Sequence, residues 1–286
     1  MECEVLFLGF GPITLALATQ LIAKGHKVIV ISENPRISMT HGAELPKEFF
    51  RTITWSDALG EQITCQSTYI SWRQSPYNRS LGTQIITWFK SDNMKTEKIH
   101  HLSSASVYTG KQDLYSETDY NFREIKENLN SKQELEKFVF EISLEKRIKF
   151  VNYRISNVYG AGLNQGFINE SLSNFKSNNP IKIYKKMDLV RDYLSIEDLI
   201  AALMELRRIE STNETLNIST GRGVAISEIV EFLKTTNKIQ PQFFEVEPPN
   251  NVILKSVLST KKLEETISWK PQRLEESLEK LFVELI

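Results

Sequence analysis

The stretch EVLFLGFGPIT, residues 4–14, decides the fold class of this chain. Its apolar part, Glu4–Leu8, predicts a buried parallel strand, and Leu15–Lys24 has the apolar spacing of a helix. The β-branched run Lys27–Ser32 predicts a second strand. A strand, a helix and a strand in this order form a βαβ unit, in which the strands are parallel and the crossover is right-handed.

The rest of the chain repeats this alternation. Further strands are predicted at Lys98–Ser103, Ile148–Ile155 and Thr215–Ile218, and amphipathic helices at Glu197–Glu210 and Ile226–Thr235. The pattern predicts an α/β fold, a Rossmann-type doubly wound parallel sheet with a small C-terminal substrate lobe.

We expect this fold to divide into two domains. Residues 1–160 and 187–220 are predicted to form the dinucleotide-binding Rossmann domain, and residues 161–186 and 221–286 the substrate-binding lobe. In open α/β sheets the ligand lies in a crevice at the carboxyl ends of the strands, so we expect the site there.

Composition narrows the classes of partner. The 286 residues include 35 Lys and Arg against 36 Asp and Glu, and this balance argues against a nucleic-acid partner or an acidic membrane surface. No apolar run is long enough to span a bilayer, and the start lacks the basic region of a signal peptide. We therefore expect a soluble, cytoplasmic protein. Neither Cys3 nor Cys65 belongs to a cluster with metal-ligand spacing, so no metal site is predicted.

The glycines after the first strand predict a dinucleotide site. Gly9 allows the tight turn, and Gly11 lets the backbone approach a pyrophosphate. Pro12 and Ile13 open a helix whose free N–H groups and dipole attract that anion. Glu33, 24 residues after Gly9, is placed to bind a ribose 2′-hydroxyl, which favours NAD.

Three alternatives stay open at this turn. Ser32, Asn34 and Arg36 are suited to a 2′-phosphate and therefore to NADP. The turn is also compatible with a Rossmann-like fold that binds no cofactor. Finally, GFGPITLALA, residues 9–18, is similar to the FAD turn of amine hydroxylases.

Several motifs occur together and in order in the rest of the chain. They are HHLSSASVY (100–108), RISNVYG (154–160), VRDYLSIEDL (190–199) and LNISTG (216–221). The set resembles the extended short-chain dehydrogenase/reductase family, in its NAD-dependent epimerase/dehydratase branch that acts on sugar nucleotides. The resemblance runs from the first residue to the last and argues against the flavoprotein.

The resemblance implies roles for four residues. Ser104 matches the catalytic serine, which bonds a substrate hydroxyl or carbonyl, and Lys132 matches the lysine of the YxxxK motif, which holds the nicotinamide ribose. Asn157 matches a residue that contacts the sugar-nucleotide phosphates. Arg191 matches an arginine that grips the diphosphate, a task suited to its planar fork of donors.

The chain departs from the family where YxxxK places its tyrosine, because the residue there is Asn128. An amide has no acidic proton at neutral pH, so Asn128 cannot exchange the proton that accompanies hydride transfer. Tyr120 is the replacement that we carry forward, with Tyr108, His41 or a water relay as alternatives. Ala105-Ser106 stands where dehydratases of the family carry Asp-Glu, which argues against 4,6-dehydration.

A second departure lies in the first half. Only 70 residues separate Glu33 from Ser104, and Trp72 with Arg73 stands where the family has a segment of small residues. Bulk at this position predicts an unusual cofactor pocket.

The function predicted from these residues is an NAD(P)-dependent reductase or epimerase that acts on a nucleotide-linked sugar with a non-standard proton donor. The alternative is a catalytically impaired protein of the same fold that binds nucleotide or sugar nucleotide, so enzyme activity itself stays open. A third reading is cofactor chemistry that needs no tyrosine. The family's usual dimer uses a helix that Ser131–Ile142 is able to supply, so we also note a homodimer.

Overall fold

A computed structural model describes residues 1–32, 45–72, 82–109, 113–121, 130–185, 188–210, 213–236, 242–248 and 252–285. The chain forms two compact units. The first comprises 1–107, 120–154 and 208–216, and the second comprises 108–119, 155–207 and 217–286. These bounds differ from the domain bounds expected from the sequence, because residues 108–119, 155–160, 187–207 and 217–220 belong to the second unit. Which unit holds cofactor and which holds substrate stays a prediction.

The first unit is built on a seven-stranded parallel sheet. Its strands are β1 (Val5–Leu8), β2 (Val28–Ile31), β3 (Phe50–Ile53), β4 (Ile63–Ile70), β5 (Met94–Ser104), β6 (Lys149–Ile155) and β10 (Glu214–Ile218), and their spatial order is β10-β6-β5-β4-β1-β2-β3. Every residue of β1 and β2 is buried, as expected for parallel strands covered on both faces. The predicted Rossmann-type sheet is confirmed.

The sheet register brings the strand ends together. Val5 pairs with Val28 on one side and with Ser67 on the other, and the same register carries Leu8 to the level of Ile31 and Ile70. Because the strands are parallel, their carboxyl ends meet at one edge, and the residues that follow each strand line that edge.

In the described part of the first unit the helices are α1 (Pro12–Ala23), α2 (Trp55–Leu59), α3 (Gly82–Lys90) and α4 (Ser131–Glu145). Helix α1 begins with Pro12, which fits the first helical position because its missing N–H needs no partner there. Helix α4 begins after Asn130, whose side chain accepts from the N–H groups of Lys132 and Gln133.

The second unit has its own strands and helices. The strands are β7 (Asn157–Tyr159), β8 (Ile181–Tyr184), β9 (Val190–Ser195), β11 (Gly223–Ala225), β12 (Phe243–Val246) and β13 (Lys255–Ser256). The helices are α5 (Phe167–Lys176), α6 (Ile196–Leu206), α7 (Ile226–Thr236), α8 (Lys261–Thr266) and α9 (Leu274–Leu285). Its core joins β9, α5, α7 and α9 around buried apolar side chains such as Tyr193, Leu172 and Leu281.

Among the residues that the structure describes, no helix is both long and apolar enough to cross a bilayer.

Candidate active site

The glycine turn lies at the carboxyl end of β1, as predicted. Gly9 has a φ of +91°, a left-handed conformation that favours glycine. A Cβ at this position would lie 3.1 Å from both the Ser71 carbonyl oxygen and Trp72 Cδ1. The Gly9 N–H donates to the Ile31 carbonyl at 3.0 Å, which ties the turn to β2. Both the conformation and the crowding explain why the first position is glycine.

Gly11 differs from Gly9 in both respects. Its backbone is extended, and a Cβ added there would meet no atom of the described residues within 4 Å. Packing among the described residues therefore does not require a glycine at this position. Open space directly before the first residue of α1 is what a pyrophosphate at a helix N-terminus needs. Gly11, Pro12 and Ile13 thus fit the phosphate-binding part of a dinucleotide site.

Thr14 occupies the third position of the glycine motif and closes the first turn of α1. Its hydroxyl accepts from the Gly11 N–H at 2.7 Å and donates to the Gly11 carbonyl at 2.9 Å, and the side chain is buried. The threonine is therefore a helix-capping residue whose hydroxyl is already bonded to the turn.

Trp72 is part of the core. It is 3% exposed, and its ring lies 5.8 Å from that of Trp55 and 5.7 Å from that of Phe89. Trp88 joins the same group at 5.7 Å from Trp55. The bulk that suggested an altered pocket is thus accommodated among aromatic rings of α2 and α3, beneath Gly9. The neighbouring Arg73 lies outside the described residues.

Ser104 is the last residue of β5, followed by a 3₁₀ turn at Ala105–Val107. It is partly exposed, and its hydroxyl oxygen accepts from the Ser106 N–H at 3.2 Å. That bond fixes the oxygen and leaves the hydroxyl proton available for another acceptor. The strand that ends in a serine turn is thus observed as predicted.

The start of α4 holds this serine turn in place. The Asn130 side-chain amide donates to the Ser106 carbonyl at 3.3 Å, and the Gln133 amide donates to the Val107 carbonyl at 2.8 Å. Lys132 lies between them in sequence, and its ammonium donates to the Trp72 carbonyl at 2.8 Å.

Gly9, Ser104 and Lys132 therefore share one edge of the sheet. Lys132 reaches the segment that packs against Gly9, and its helix is bonded to the turn that follows Ser104. The turns after β1, β4 and β5 are joined in this way through the first turn of α4. The edge has the donors and the positive charge that an anionic dinucleotide needs.

A chain of buried polar groups lies beneath this edge. The Ser103 hydroxyl donates to Glu136 Oε1 at 2.5 Å. Arg154 binds both oxygens of the same carboxylate, with Nε at 3.2 Å from Oε1 and Nη2 at 3.0 Å from Oε2. Glu136 and Arg154 are 0% and 1% exposed. Arg154 Nη2 also donates to the Tyr120 carbonyl at 2.9 Å. We call Ser103, Glu136, Arg154 and Tyr120 the buried polar chain.

Tyr120, the predicted substitute proton donor, ends this chain. The Arg154 guanidinium carbon lies 4.9 Å from the centre of its ring, a cation–π arrangement. Among the described residues no partner bonds its buried hydroxyl. Burial and the Glu136 charge raise the pKa of this phenol, while the Arg154 charge lowers it. The raised pKa of this phenol keeps its proton in place at neutral pH.

Strand β5 also carries two buried histidines, just before Ser103 of the buried polar chain. His101 Nδ1 lies 2.8 Å from Asn152 Oδ1, and burial lowers the pKa of His101 to about 4, so this imidazole is neutral at pH 7. His100 Nδ1 lies 2.9 Å from the Tyr153 hydroxyl. The described part of the chain contains no group of three His, Cys, Asp or Glu residues arranged to hold a metal ion.

Five of the candidate residues lie outside the described residues: Glu33, Asn34, Arg36, His41 and Asn128. Their predicted roles stay predictions. Tyr108, another candidate proton donor, is 2% exposed, and its hydroxyl donates to Asn217 Oδ1 at 2.7 Å.

The second unit carries the two predicted substrate residues. Asn157 begins β7, is exposed, and donates to the Asp192 carbonyl at 3.3 Å. Arg191 lies on β9, and its guanidinium donates to the carbonyls of Val190, Ile253 and Leu254 at 2.6–3.2 Å. Burial lowers the pKa of Arg191. Their binding of a diphosphate stays a prediction.

Sequence reasoning missed Glu136 and Arg154. One signal was available, because Glu136 follows Lys132 by four residues and so shares its helix face, which would place a carboxylate beneath the predicted site. Its partner Arg154, 18 residues further on, could not be predicted from the spacing of residues in the sequence.

Comparison with known proteins gives one matching family model and several relatives of this chain. The sequence model of the NAD dependent epimerase/dehydratase family matches residues 9–219. The dTDP-4-dehydro-6-deoxyglucose reductase of Escherichia coli is 30% identical over 192 residues, 65% of this chain and 60% of that protein. The CDP-abequose synthase of Salmonella typhimurium is 22% identical over 58% of each chain. The chain thus spans less than two thirds of the length of these two curated relatives.

Solved structures share the fold along the whole chain. The UDP-glucuronic acid 4-epimerase of Bacillus cereus, in complex with UDP-glucuronic acid and NAD, superimposes with a TM-score of 0.80 at 16% identity. The match covers 99% of each chain. At this identity the likeness concerns the fold.

Proposed function

Because the chain belongs to the NAD-dependent epimerase/dehydratase family, we propose that it is a reductase or epimerase of a nucleotide-linked sugar. NAD, once bound, supplies the hydride chemistry at a ketone or alcohol carbon of the sugar. The observation that carries the proposal is the shared edge, where the turn of Gly9 and Gly11, the hydroxyl of Ser104 and the ammonium of Lys132 come together.

The chain's own groups suit this cofactor. The open space at Gly11 and the first residues of α1 would hold the pyrophosphate. Lys132 would bind the nicotinamide ribose, exchanging its present bond to the Trp72 carbonyl for ribose hydroxyls. Glu33 would bind the adenine-side ribose, which favours NAD over NADP.

Ser104 and Tyr120 would act on the sugar. The Ser106 N–H fixes the Ser104 oxygen, so the Ser104 hydroxyl proton is directed to the carbonyl oxygen of the sugar and polarises it. Asn128 cannot supply the proton that this oxygen takes up, and we assign that step to the Tyr120 hydroxyl, which no described residue bonds. Its raised pKa makes it a weak acid, which lets it return to the neutral form after each turnover.

The sugar nucleotide would be held by the second unit. The Escherichia coli and Salmonella typhimurium relatives are named for a dTDP-linked and a CDP-linked deoxysugar, and the Bacillus cereus structure contains a UDP-linked sugar acid. These names support a nucleoside diphosphate sugar as the substrate class. Asn157 and Arg191 would contact its diphosphate, as predicted. A homodimer through α4 and a cytoplasmic location also belong to this proposal.

A binding protein without turnover is the second candidate. The amide of Asn128 and the raised pKa of Tyr120 both favour it, because neither group releases a proton readily at neutral pH.

Calorimetry and one substitution separate the two candidates. The first measurement titrates the protein with NAD⁺, NADP⁺ and UDP-, dTDP- and CDP-linked hexoses, and we expect binding of NAD⁺ and at least one sugar nucleotide. The second compares turnover of a panel of 4-keto sugar nucleotides by the parent and by Asn128→Tyr and Tyr120→Phe. An enzyme that uses Tyr120 loses at least tenfold in kcat in Tyr120→Phe. A binding protein shows no turnover in the parent, and absence of all binding contradicts both candidates.

A further inference from the structure

We propose that the Glu136–Arg154 pair positions the two groups that the proposed function requires, the hydroxyl of Ser104 and the phenol of Tyr120. The inference rests on that function and adds two positioning residues which never touch substrate. It follows from the hydrogen bonds of the buried polar chain. Glu136 accepts from Ser103, the neighbour of Ser104, and Arg154 donates both to Glu136 and to the backbone carbonyl of Tyr120.

The first end acts through the pleat of β5. Ser103 and Ser104 are successive strand residues, so their side chains point to opposite faces. The bond from Ser103 to Glu136 fixes Ser103 on the buried face and thereby the peptide plane that sets the direction of the Ser104 side chain. The Ser106 N–H then fixes the Ser104 oxygen from the other side.

The second end holds Tyr120 at two points. Arg154 Nη2 donates to the backbone carbonyl of Tyr120, and the guanidinium carbon lies 4.9 Å from the centre of the ring. The hydroxyl, at the far end of the ring, is thereby kept where no described group bonds it. Arg154 is itself oriented by two bonds to Glu136, so its place depends on the same carboxylate that holds Ser103.

Stability alone is a poor explanation for this pair. Replacing a buried ion pair with apolar side chains of similar volume is often neutral or stabilising, because both charges lose their hydration. Glu136 lies on a helix face that also buries Leu135 and Val139, so an apolar residue would suit that face. The pair instead fixes direction at both of its ends, which apolar packing would not.

The experiment uses one double variant and two single variants of the whole chain. Glu136→Leu with Arg154→Met removes both charges together, so neither is left unpaired. Ser103→Ala removes only the bond between β5 and Glu136, and Ser103→Thr keeps a hydroxyl at that position. Ser143→Ala is the control, because Ser143 is buried on α4 and its hydroxyl donates to the Val139 carbonyl of the same helix.

Three readouts separate positioning from folding. Thermal unfolding reports stability, calorimetry with NAD⁺ reports the cofactor site, and hydrogen exchange of the Ser106 amide reports the geometry at Ser104 without any turnover. We expect the double variant to unfold at the parent's temperature or above, and to bind NAD⁺ within twofold. We expect its Ser106 amide to exchange at least tenfold faster, and its kcat to fall by about 10- to 100-fold with KM nearly unchanged.

The single variants sharpen this result. Ser103→Ala is expected to speed exchange at Ser106 and to lower kcat about tenfold, whereas Ser103→Thr and Ser143→Ala stay within about threefold of the parent. A double variant that folds and keeps the parent's Ser106 exchange overturns the proposal, and so does a Ser143→Ala variant that loses as much kcat as Ser103→Ala. If the parent itself binds no NAD⁺, the proposed function fails, while the exchange data still decide the positioning.

Discussion

Helices α2 and α3 of the first unit contribute aromatic rings to its core, whereas α4 adds a hydrogen-bonded ion pair to its apolar contacts. The aromatic interface consists of Trp55, Trp72, Trp88 and Phe89, with ring centres 5.4–5.8 Å apart. The polar interface consists of His101, Ser103, Glu136, Asn152 and Arg154, all at most 5% exposed. The first lies under the glycine turn and the second under the strand that ends at Ser104.

The two interfaces support different parts of the sheet edge in different ways. Rings fill volume without a required direction, so the aromatic interface supports the cofactor turn sterically. Hydrogen bonds to charges have fixed directions and lose most of their benefit when one partner is removed. We therefore expect graded responses to substitution in the aromatic interface and large responses in the polar one.

The largest effect is expected from Arg154→Met alone. It leaves the Glu136 carboxylate buried without its cation, and breaking a buried pair from one side costs roughly 3–5 kcal/mol. Urea unfolding at pH 7 measures the loss. The double variant Glu136→Leu with Arg154→Met should restore the parent's stability, and equal losses in the two variants would contradict the account of the polar interface.

A somewhat smaller loss of unfolding free energy is expected when the pH is lowered. His101 has a pKa of about 4 in the fold against about 6.5 in an unfolded chain, because burial opposes its charge. Glu136 on α4 favours the charged form, while Lys132 on α4 and Arg154 on β6 oppose it. The stabilisation is therefore complete above pH 6.5 and is lost as the pH falls through 4, on the order of 3 kcal/mol in all. Urea unfolding at pH 7 and pH 4 should show a steeper loss in the parent than in His101→Gln. His26 is partly exposed, so His26→Gln should lose as much unfolding free energy between pH 7 and pH 4 as the parent does. An equal loss in the parent and in His101→Gln would contradict this prediction.

The smallest effect separates two tryptophans of the aromatic interface. Trp88 Nε1 donates to the Ala58 carbonyl at 2.9 Å, whereas no described residue bonds Trp72 Nε1. Both rings are buried, so Trp88→Phe and Trp72→Phe remove similar volume, and only the first also removes a hydrogen bond, the one from the indole to the Ala58 carbonyl. Trp88→Phe should cost about 1 kcal/mol more than Trp72→Phe in urea unfolding. A reversed order would show that ring packing dominates at both positions.

The sequence was most informative where a local motif determines the structure. The strand-turn-helix pattern placed Gly9, Gly11 and Pro12, and the ordered motifs placed Ser104 at the end of its strand. Spacing alone could not reveal that Trp72 turns into the core, because that depends on rings contributed by two other helices. The Glu136–Arg154 pair was hidden for the same reason: it joins a helix to a strand, and a charged residue in a helix usually faces water.

The central claim is that the turn after β1 binds the pyrophosphate of NAD, and Gly11→Ala tests it most directly. A methyl group at Gly11 would meet no atom of the described residues within 4 Å, so it should leave thermal unfolding unchanged while occupying the space of the phosphates. Gly60→Ala is the matched control, because its backbone is helical and its nearest neighbour would lie 3.9 Å away. Calorimetry with NAD⁺ should show the parent's affinity in Gly60→Ala and at least a tenfold loss in Gly11→Ala, about 1.4 kcal/mol. Undiminished NAD⁺ binding by Gly11→Ala, or no binding by the parent, would contradict the claim.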